Sequence, residues 1–417
     1  MNRFARLIRA MIPICLLLIA PLCVTAQIPE GWKFTCILPS PFVTIPGGEK
    51  IYTRDIVASG NSLVFVAYKS GEPLDASGIY RLEGSLVTKI ADTQTRLPKR
   101  GERFHTFDTT VFASGDQIAF VGATKDAGNR GLFLAQKGKL TTVADTRTTL
   151  PGSTEKLSRI HLMFDNNNLN ANHLVFGASG EEVSGLYSRE KDGSLIRIVD
   201  NTMQVPGTKI RFRNVGNARL NGDRIAFTKN GNDETGGLYL YEHGAISVIA
   251  NNRTRVPGKE MLFQNVGTFA LSEKRLVFVG LYKEGTTTRR EIFESTPKGL
   301  VLLIDPNTLV PPGADYTYLL SFMVAGGDTL AFMASQYSPS RGSGYPQVLF
   351  VNRGGVTREF LKIGDELEGK KIELISLGQF VQERLMLWFI FTDASPIRHY
   401  AAEMIATPED VKIEKTE

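Results

Sequence analysis

The sequence predicts an all-β fold, a seven-bladed β-propeller of four-stranded blades, from three signatures that recur in constant order. The first is an apolar–apolar–aromatic triplet: Leu63-Val64-Phe65, Ile118-Ala119-Phe120, Leu174-Val175-Phe176, Ile225-Ala226-Phe227, Leu276-Val277-Phe278 and Leu330-Ala331-Phe332, with Leu385-Met386-Leu387 as a weaker seventh. Successive final residues lie 55, 56, 51, 51, 54 and 55 positions apart. The second follows each triplet as Gly78-Ile79-Tyr80, Gly131-Leu132-Phe133, Gly185-Leu186-Tyr187 and Gly237-Leu238-Tyr239; Ile292-Phe293 and Leu349-Phe350 are copies without the glycine. The third is a linker of an acid or amide, then Thr, then Pro: Asp92…Thr95…Pro98, Asp145…Thr148…Pro151, Asn251…Thr254…Pro257 and Asp305…Thr308…Pro311. Asp200…Pro206 is a near match and Ser40…Pro46 a looser one.

Taken from the N-terminus, the first element is a leader. Arg3, Arg6 and Arg9 precede the apolar run Ala10–Leu22, and Val24-Thr25-Ala26 offers small residues for cleavage after Ala26. This predicts a signal peptide over 1–26, a single propeller domain over 27–409 and a charged tail over 410–417. Cys23 raises a lipoprotein alternative, but Pro21-Leu22 before it is a poor lipobox. No later stretch approaches the roughly 20 apolar residues a spanning helix needs, so no membrane span is expected after cleavage. The expected location is periplasmic or extracellular.

Of 48 basic and 43 acidic residues, Arg3, Arg6 and Arg9 leave with the leader, so 45 basic residues remain against the 43 acidic ones. That near-balance, without a Lys/Arg-dense stretch, argues against a nucleic-acid partner. Cys15 and Cys23 also leave, and the remaining Cys36 has no partner for an internal disulfide. The histidines (His105, His161, His173, His243 and His399) show no metal-ligand spacing.

Each unit reads as four short strands rich in Val, Ile, Phe, Tyr and Thr. In the second unit these are Phe104–Phe112, Gln117–Val121, Leu132–Ala135 and Leu140–Ala144, with turns such as Lys137-Gly138 between them. A sandwich series would need larger units and a β-solenoid shorter coils. Gly31-Trp32-Lys33-Phe34-Thr35-Cys36-Ile37 has the form of a fourth strand but precedes the first complete unit. The last unit, Glu373–Phe380, Leu385–Phe391 and His399–Ile405, has three strands only. An N-terminal strand completing the last blade closes the ring and removes its open edges, with the charged tail as a rival for that place.

The alternation of Asp-x-x-Thr-x-x-Pro linkers with the two strand signatures, over roughly residues 31 to 405, resembles exported bacterial tandem-repeat, propeller-like proteins of unknown activity. The resemblance implies a fold and a compartment and no chemistry. Relatives of that kind often end in an anchoring segment. Lys412-Ile413-Glu414-Lys415-Thr416-Glu417 is not one, which favours a freely soluble product.

The linker carboxylates Asp92, Asp145, Asp200, Asp305 and Asp365 read as turn formers, since an Asp can accept backbone N–H groups two or three residues on. Structural calcium at one or two linkers is the alternative, and no other cofactor is expected. Asp165-Asn166-Asn167-Asn168 lacks the spaced carboxylates and Glu of a calcium loop.

Units that are otherwise alike should differ where function lies. First strands line the axial channel and carry Arg54 and Asp55, then His105 and Asp108, then Arg159 and His161, then Arg211, Arg213 and Asn214, then Gln264 and Asn265. Tyr316, Tyr318 and Glu373 follow in the last units. Arginines converging on an axis suit an anionic ligand, because the guanidinium fork matches carboxylate or phosphate. His105 with Asp108 and His161 with Asp165 could form acid/base pairs, but no nucleophile motif accompanies them. The loops between second and third strands, Lys69–Ser77, Lys125–Arg130, Lys229–Thr235, Lys283–Arg290 and Ser335–Tyr345, are uneven and charged. Arg289, Arg290, Tyr337, Arg341 and Tyr345 are their recognition candidates.

The leading expectation is a monomeric, non-enzymatic binding protein whose loop face engages an extracytoplasmic protein or glycan. The alternative is a hydrolase or lyase acting on a carbohydrate or other anionic substrate at the axial channel. A structural component of the envelope or matrix is the third reading.

Overall fold

The computed structural model describes residues 32–404 except 41, 70–75, 126–129, 163–167, 232, 313–316, 339–341, 382 and 393–396. The leader and the charged tail lie outside the described residues. Seven antiparallel sheets follow one another along the chain and form the seven-bladed ring. Their innermost strands are Lys50–Ser59, Thr106–Ser114, Arg159–His161, Val215–Asn221, Asn265–Leu271, Thr317–Gly326 and Lys370–Val381, which define blades 1 to 7. Blade 7 is completed by Trp32–Leu38, which pairs antiparallel with Arg398–Met404 and sets Cys36 opposite Tyr400. The N-terminal segment therefore takes the fourth-strand place. No helix among the described residues is long and apolar enough to cross a membrane.

Two of the sequence signatures are the two halves of one cross-strand pair. The triplet phenylalanine on each second strand faces the aromatic of the third-strand signature: Phe65 opposite Tyr80, Phe120 opposite Phe133, Phe176 opposite Tyr187, Phe227 opposite Tyr239, Phe278 opposite Phe293 and Phe332 opposite Phe350. Ring centroids in these pairs lie between 5.4 and 6.2 Å apart. In blade 7 the same register sets Leu387 opposite Tyr400. A third ring arrives edge-on from the linker: Phe104 on Phe133 at 4.8 Å, Phe212 on Tyr239 at 5.0 Å and Phe263 on Phe293 at 5.0 Å. Edge-to-face and offset pairs of this kind add about 0.5–1.5 kcal/mol beyond their buried area. Tyr318, expected in the channel, makes the same contact to Phe350 at 5.2 Å and is buried. It belongs to the core.

The glycine of the third-strand signature has a steric cause. A Cβ at Gly185 would lie 2.0 Å from the Val199 carbonyl oxygen, and one at Gly237 2.2 Å from that of Ala250. The fourth strand therefore packs against bare backbone, and the ladder between third and fourth strands shifts register just past this point in blades 1 to 6. Second strands are sandwiched between neighbouring blades and are buried on both faces, as along Gln117–Ala123. They read as continuous apolar runs because neither face meets water.

Two of the expected loops are hairpin extensions instead. Lys283–Arg290 belongs largely to the strands Leu276–Glu284 and Thr287–Thr296, which stay paired out to Glu284 opposite Thr287. Ser335–Tyr345 likewise continues the strands Thr329–Ser338 and Gly342–Arg353.

Candidate functional site

The linker carboxylates hold turns. Asp92, Asp145, Asp200, Asn251 and Asp305 each accept the backbone N–H two residues on, at 2.9 to 3.1 Å. In the first, second and fourth linkers the threonine hydroxyl also accepts the N–H of the acid or amide itself, at 2.9 to 3.0 Å. Asp145 takes two guanidinium groups as well, from Arg147 and from Arg100 of the preceding linker, both at 2.9 Å. Burial alone would raise the Asp145 pKa, but the bonds from Arg147 and Arg100 outweigh it and hold the carboxyl below its ordinary range. Asp365 works in the opposite direction, accepting the backbone N–H of Lys362 at 2.9 Å. Among the described residues no three His, Cys, Asp or Glu side chains converge as metal ligands.

The inner strands carry one position that is equivalent in every blade. The residue two past each triplet pairs with Thr53, Phe107, Ile160, Val215, Val266, Leu320 and Ile375 in turn. The next inner-strand residue is therefore Arg54, Asp108, His161, Gly216, Gly267, Ser321 and Ser376 around the ring. Beyond it the ladder breaks into a bulge in most blades, as between Phe107 and Val111 or between Val266 and Phe269. Bulges re-aim side chains away from the sheet. Charged or ionisable groups thus occupy blades 1 to 3, and glycine or serine the other four.

Asp108 and His161 are brought together, with Arg130. Arg130 stands just ahead of the third strand of blade 2 and its guanidinium donates to the Asp108 carboxylate. Burial raises the Asp108 pKa, and the positive field of Arg130 and His161 opposes that. Although His161 reaches solvent, its removal from bulk water in the mouth lowers its pKa; Asp108 opposes this and Arg130 adds to it. The result is a neutral imidazole beside an ion pair. Arg130 was not among the residues singled out from sequence, although it directly precedes the glycine of a signature.

The remaining predicted residues fall around this mouth or apart from it. Arg159 lies two residues before His161 on the same strand, and both are exposed while Ile160 between them is buried. Arg211 and Arg213, expected on the first strand of blade 4, instead precede the strand Val215–Asn221 and flank buried Phe212 at the end of the linker, both exposed. Among the described residues, no carboxylate pairs with Arg159, Arg211 or Arg213. Asp55 is exposed and adopts a left-handed backbone, φ 51°, within the bulge of blade 1; Arg54 precedes it, its side chain outside the described set. His105 is exposed, and its backbone N–H donates to Ala123 at 2.8 Å. The expected pairing of His105 with Asp108 is replaced by that of Asp108 with Arg130: Asp108 falls within the bulge between Phe107 and Val111, whereas His105 precedes the inner strand. Asp165, the expected partner of His161, lies outside the described residues. Asn168 of the same stretch is buried, donating to the Ala218 carbonyl at 3.0 Å and accepting from the Leu220 N–H at 2.9 Å in blade 4.

On the hairpin extensions Arg289 pairs with Glu284 at 2.9 Å, and Glu284 also takes Lys259 at 3.0 Å, so Arg289 is a strut while Arg290 beside it is exposed. Tyr337 is half-buried on its strand. Tyr345 is on the partner strand, and Arg341 lies outside the described residues. Sequence reasoning also missed Lys229, only 2% exposed, whose ammonium donates to both Asp233 oxygens at 2.8 and 2.7 Å. Burial opposes ionisation of Asp233, yet Lys229 and Thr235 together hold its pKa at about 2. That pair orders the hairpin loop of blade 4.

Residues 43–381 match the model of a family of unknown function, DUF7453. No curated protein matches the sequence. Among solved structures the chain is similar to the β-propeller domain of the trilobed protease from Pyrococcus furiosus, at 10% identity and a TM-score of 0.48, covering 88% of this chain and 98% of that one. It is also similar to the Pyrococcus horikoshii acylaminoacyl peptidase, at 12% identity, 88% and 54% coverage and a TM-score of 0.49, so it spans about half the length of that enzyme. The polysaccharide lyase Uly1 aligns at 12% identity over 85% of this chain and 90% of its own, with a TM-score of 0.45. At such identities these likenesses say nothing of chemistry.

Proposed function

The chain belongs to the DUF7453 family of unknown function, and from that premise we propose that it is an exported, non-enzymatic binding protein that engages an extracytoplasmic protein or glycan through its loop face. One observation carries this reading. Blades 2 and 3 bring the Asp108–Arg130 ion pair beside His161, and the guanidinium groups of Arg159 on the same strand and of Arg211 and Arg213 ahead of the next inner strand are exposed. Guanidinium groups left without a carboxylate are ready to form bidentate bonds with an incoming acidic group. The rigid propeller holds them in place before the ligand arrives, which lowers the ordering cost of association.

The test is a triple charge reversal, Arg159→Glu, Arg211→Glu and Arg213→Glu, followed on glycan and secreted-protein arrays. Retention of acidic ligands is expected to weaken at least about tenfold, with the thermal transition unchanged. Equal retention by both proteins rules the loop-face reading out. A second reading, a hydrolase or lyase working on an anionic carbohydrate, is favoured by His161 alone, since a neutral imidazole can accept a proton. It requires that His161→Ala abolish turnover of an acidic polysaccharide while leaving its retention intact.

A further inference from the structure

The linker into blade 5 departs from its counterparts at one position. In four linkers a buried residue closes the linker hairpin with its backbone N–H: Phe104 donates to the carbonyl of Thr95, Leu157 to Thr148, Phe212 to Met203 and Phe263 to Thr254, at 2.9 to 3.1 Å. The residue just before it pairs across the hairpin each time, Arg103 with Arg96, Lys156 with Thr149, Arg211 with Gln204 and Leu262 with Arg255. The linkers into blades 2, 3 and 4 thus expose a cation at this place, whereas the linker into blade 5 exposes Leu262.

Leu262 lines an open hollow of about 570 Å³ with Asn252, Met261, Phe263, Gln264 and Lys283. Backbone bonds fix its walls: besides that of Phe263, the Val256 N–H donates to the Met261 carbonyl at 2.8 Å and the Gln264 N–H to that of Leu281 at 2.7 Å. Asn252 donates to the Asp233 carbonyl at 2.7 Å, which ties the linker to the hairpin of blade 4. Lys283 and Gln264 are exposed, and neither side chain has a partner among the described residues. Carboxylates of the adjoining linker and hairpins each hold a cation of their own. Glu260 takes Arg255 at 2.6 Å, Glu284 takes Lys259 at 3.0 Å and Arg289 at 2.9 Å, Asp233 takes Lys229 at 2.7 Å and Glu234 takes Arg253 at 3.7 Å. Buried Glu291 lies beside Tyr282 and Lys259. The Lys283 ammonium is matched by none of them.

We propose that this hollow binds a small organic acid with an aliphatic body, its carboxylate held by Lys283 and Gln264 and its chain laid on Leu262 and Met261. An unmatched ammonium favours an anion, and the amide N–H beside it supplies a second donor. Leu262 and Met261 reward a ligand that carries apolar carbon next to its acid, because that contact removes apolar surface from water on both sides. A hollow of this volume falls within the range of small-molecule sites, and its fixed walls lower the ordering cost of binding. The site is separate from the loop-face reading, because its lining includes none of Asp108, Arg130, His161, Arg159, Arg211 and Arg213.

The experiment titrates the purified full chain with hexanoate, with hexanamide as the uncharged control and acetate as the acid without an aliphatic body, by calorimetry and thermal unfolding. Hexanoate is expected to bind saturably and raise the transition temperature, and both controls to bind at least about tenfold more weakly. Lys283→Gln should weaken hexanoate binding at least about tenfold, and Leu262→Ser by a few-fold without changing the response to acetate. Both side chains are exposed, so these variants should keep the parent's transition in the absence of ligand. Arg290→Gln removes an exposed cation of the same hairpin that does not line the hollow, and should leave hexanoate binding unchanged. No saturable binding of hexanoate, binding insensitive to Lys283→Gln, or equal affinity for acetate and hexanoate overturns the proposal. Loss of binding in the Arg159, Arg211 and Arg213 reversal but not in Lys283→Gln places the acid among those arginines, which overturns this site and leaves the loop-face reading standing. Hexanoate binding that depends on Lys283, in a chain whose array retention ignores the reversal, upholds this site while the loop-face reading falls.

Discussion

A single guanidinium joins blade 5 to blade 6. Arg275, 8% exposed, donates from Nε and Nη2 to the two Glu294 oxygens at 2.8 and 3.1 Å. Its Nη1 reaches across to the Asp328 carbonyl at 3.0 Å and to the Asn352 Oδ1 at 3.1 Å. All four bonds are satisfied by groups that would otherwise be unpaired, and Asn352 is itself fully buried. Arg275→Met therefore leaves a half-buried carboxylate, a carbonyl and an amide oxygen without their donor. Removing one partner of such a pair costs about 3–5 kcal/mol. Denaturant unfolding should show a loss of that order, and adding Glu294→Gln should restore part of it. A variant as stable as the parent would mean that the network contributes only geometry.

At the scale of single elements, the strand Arg398–Met404 carries an acid-sensitive group. His399 lies on it opposite Leu38 and stands edge-on to Trp388, with ring centroids 5.7 Å apart. Burial lowers its pKa to about 3, from an ordinary value near 6.5. Because the folded state holds this imidazole neutral, the unfolded chain binds one more proton between those two values. The stabilisation is complete above pH 6.5 and is lost as the pH falls toward 3, by about 1.4 kcal/mol per pH unit. His399→Gln should flatten the unfolding profile over that window and leave the neutral-pH value comparatively unaffected. An unchanged profile would place the acid sensitivity in another group. In the first two linkers the effect has the opposite sign: although burial opposes it, the bonds accepted by Asp92 and Asp145 hold their carboxyls below the ordinary range.

Across the whole molecule, closure rests on two separate sets of contacts. One is the pairing of Trp32–Leu38 with Arg398–Met404. The other lies at the turn face, where Gln379 donates to the Ala58 carbonyl at 3.1 Å and Arg384 to that of Gly60 at 3.0 Å. Similar bonds tie neighbouring turns elsewhere: Arg81 to Gly115, Asn170 to Gly222, Arg224 to Ser272 and Ser272 to Gly327. The belt keeps blades in register even where sheets do not pair with one another. Deleting residues 27–38 should leave the belt in place but turn the Arg398–Met404 strand into a bare edge. The expected outcome is a folded, less stable protein that self-associates through that edge, seen as a lowered transition temperature and a larger species in sedimentation. A deletion variant that stays monomeric with an unchanged transition would show the turn belt sufficient for closure.

Local signals in the chain carried the ring. Aromatic pairs, the glycine against a fourth-strand carbonyl and the Asp–Thr turn are each satisfied within one blade or its linker, so they leave a period that can be counted: Phe65 to Leu387 in six steps. Arg54, Asp108, Arg159 and His161 could be named from the same period, because inner strands must differ where a ring acquires function. Their partners could not. Bulges of unequal length between Arg54 and Val57 or between Phe107 and Val111 shift each inner strand differently against the repeat, so equivalence is set by the ladder and not by residue count. The ion pair of Asp108 with Arg130 and its approach to His161 of the next blade arise where separate strands and blades meet, and contacts of that kind exist only once tertiary packing has fixed their distances.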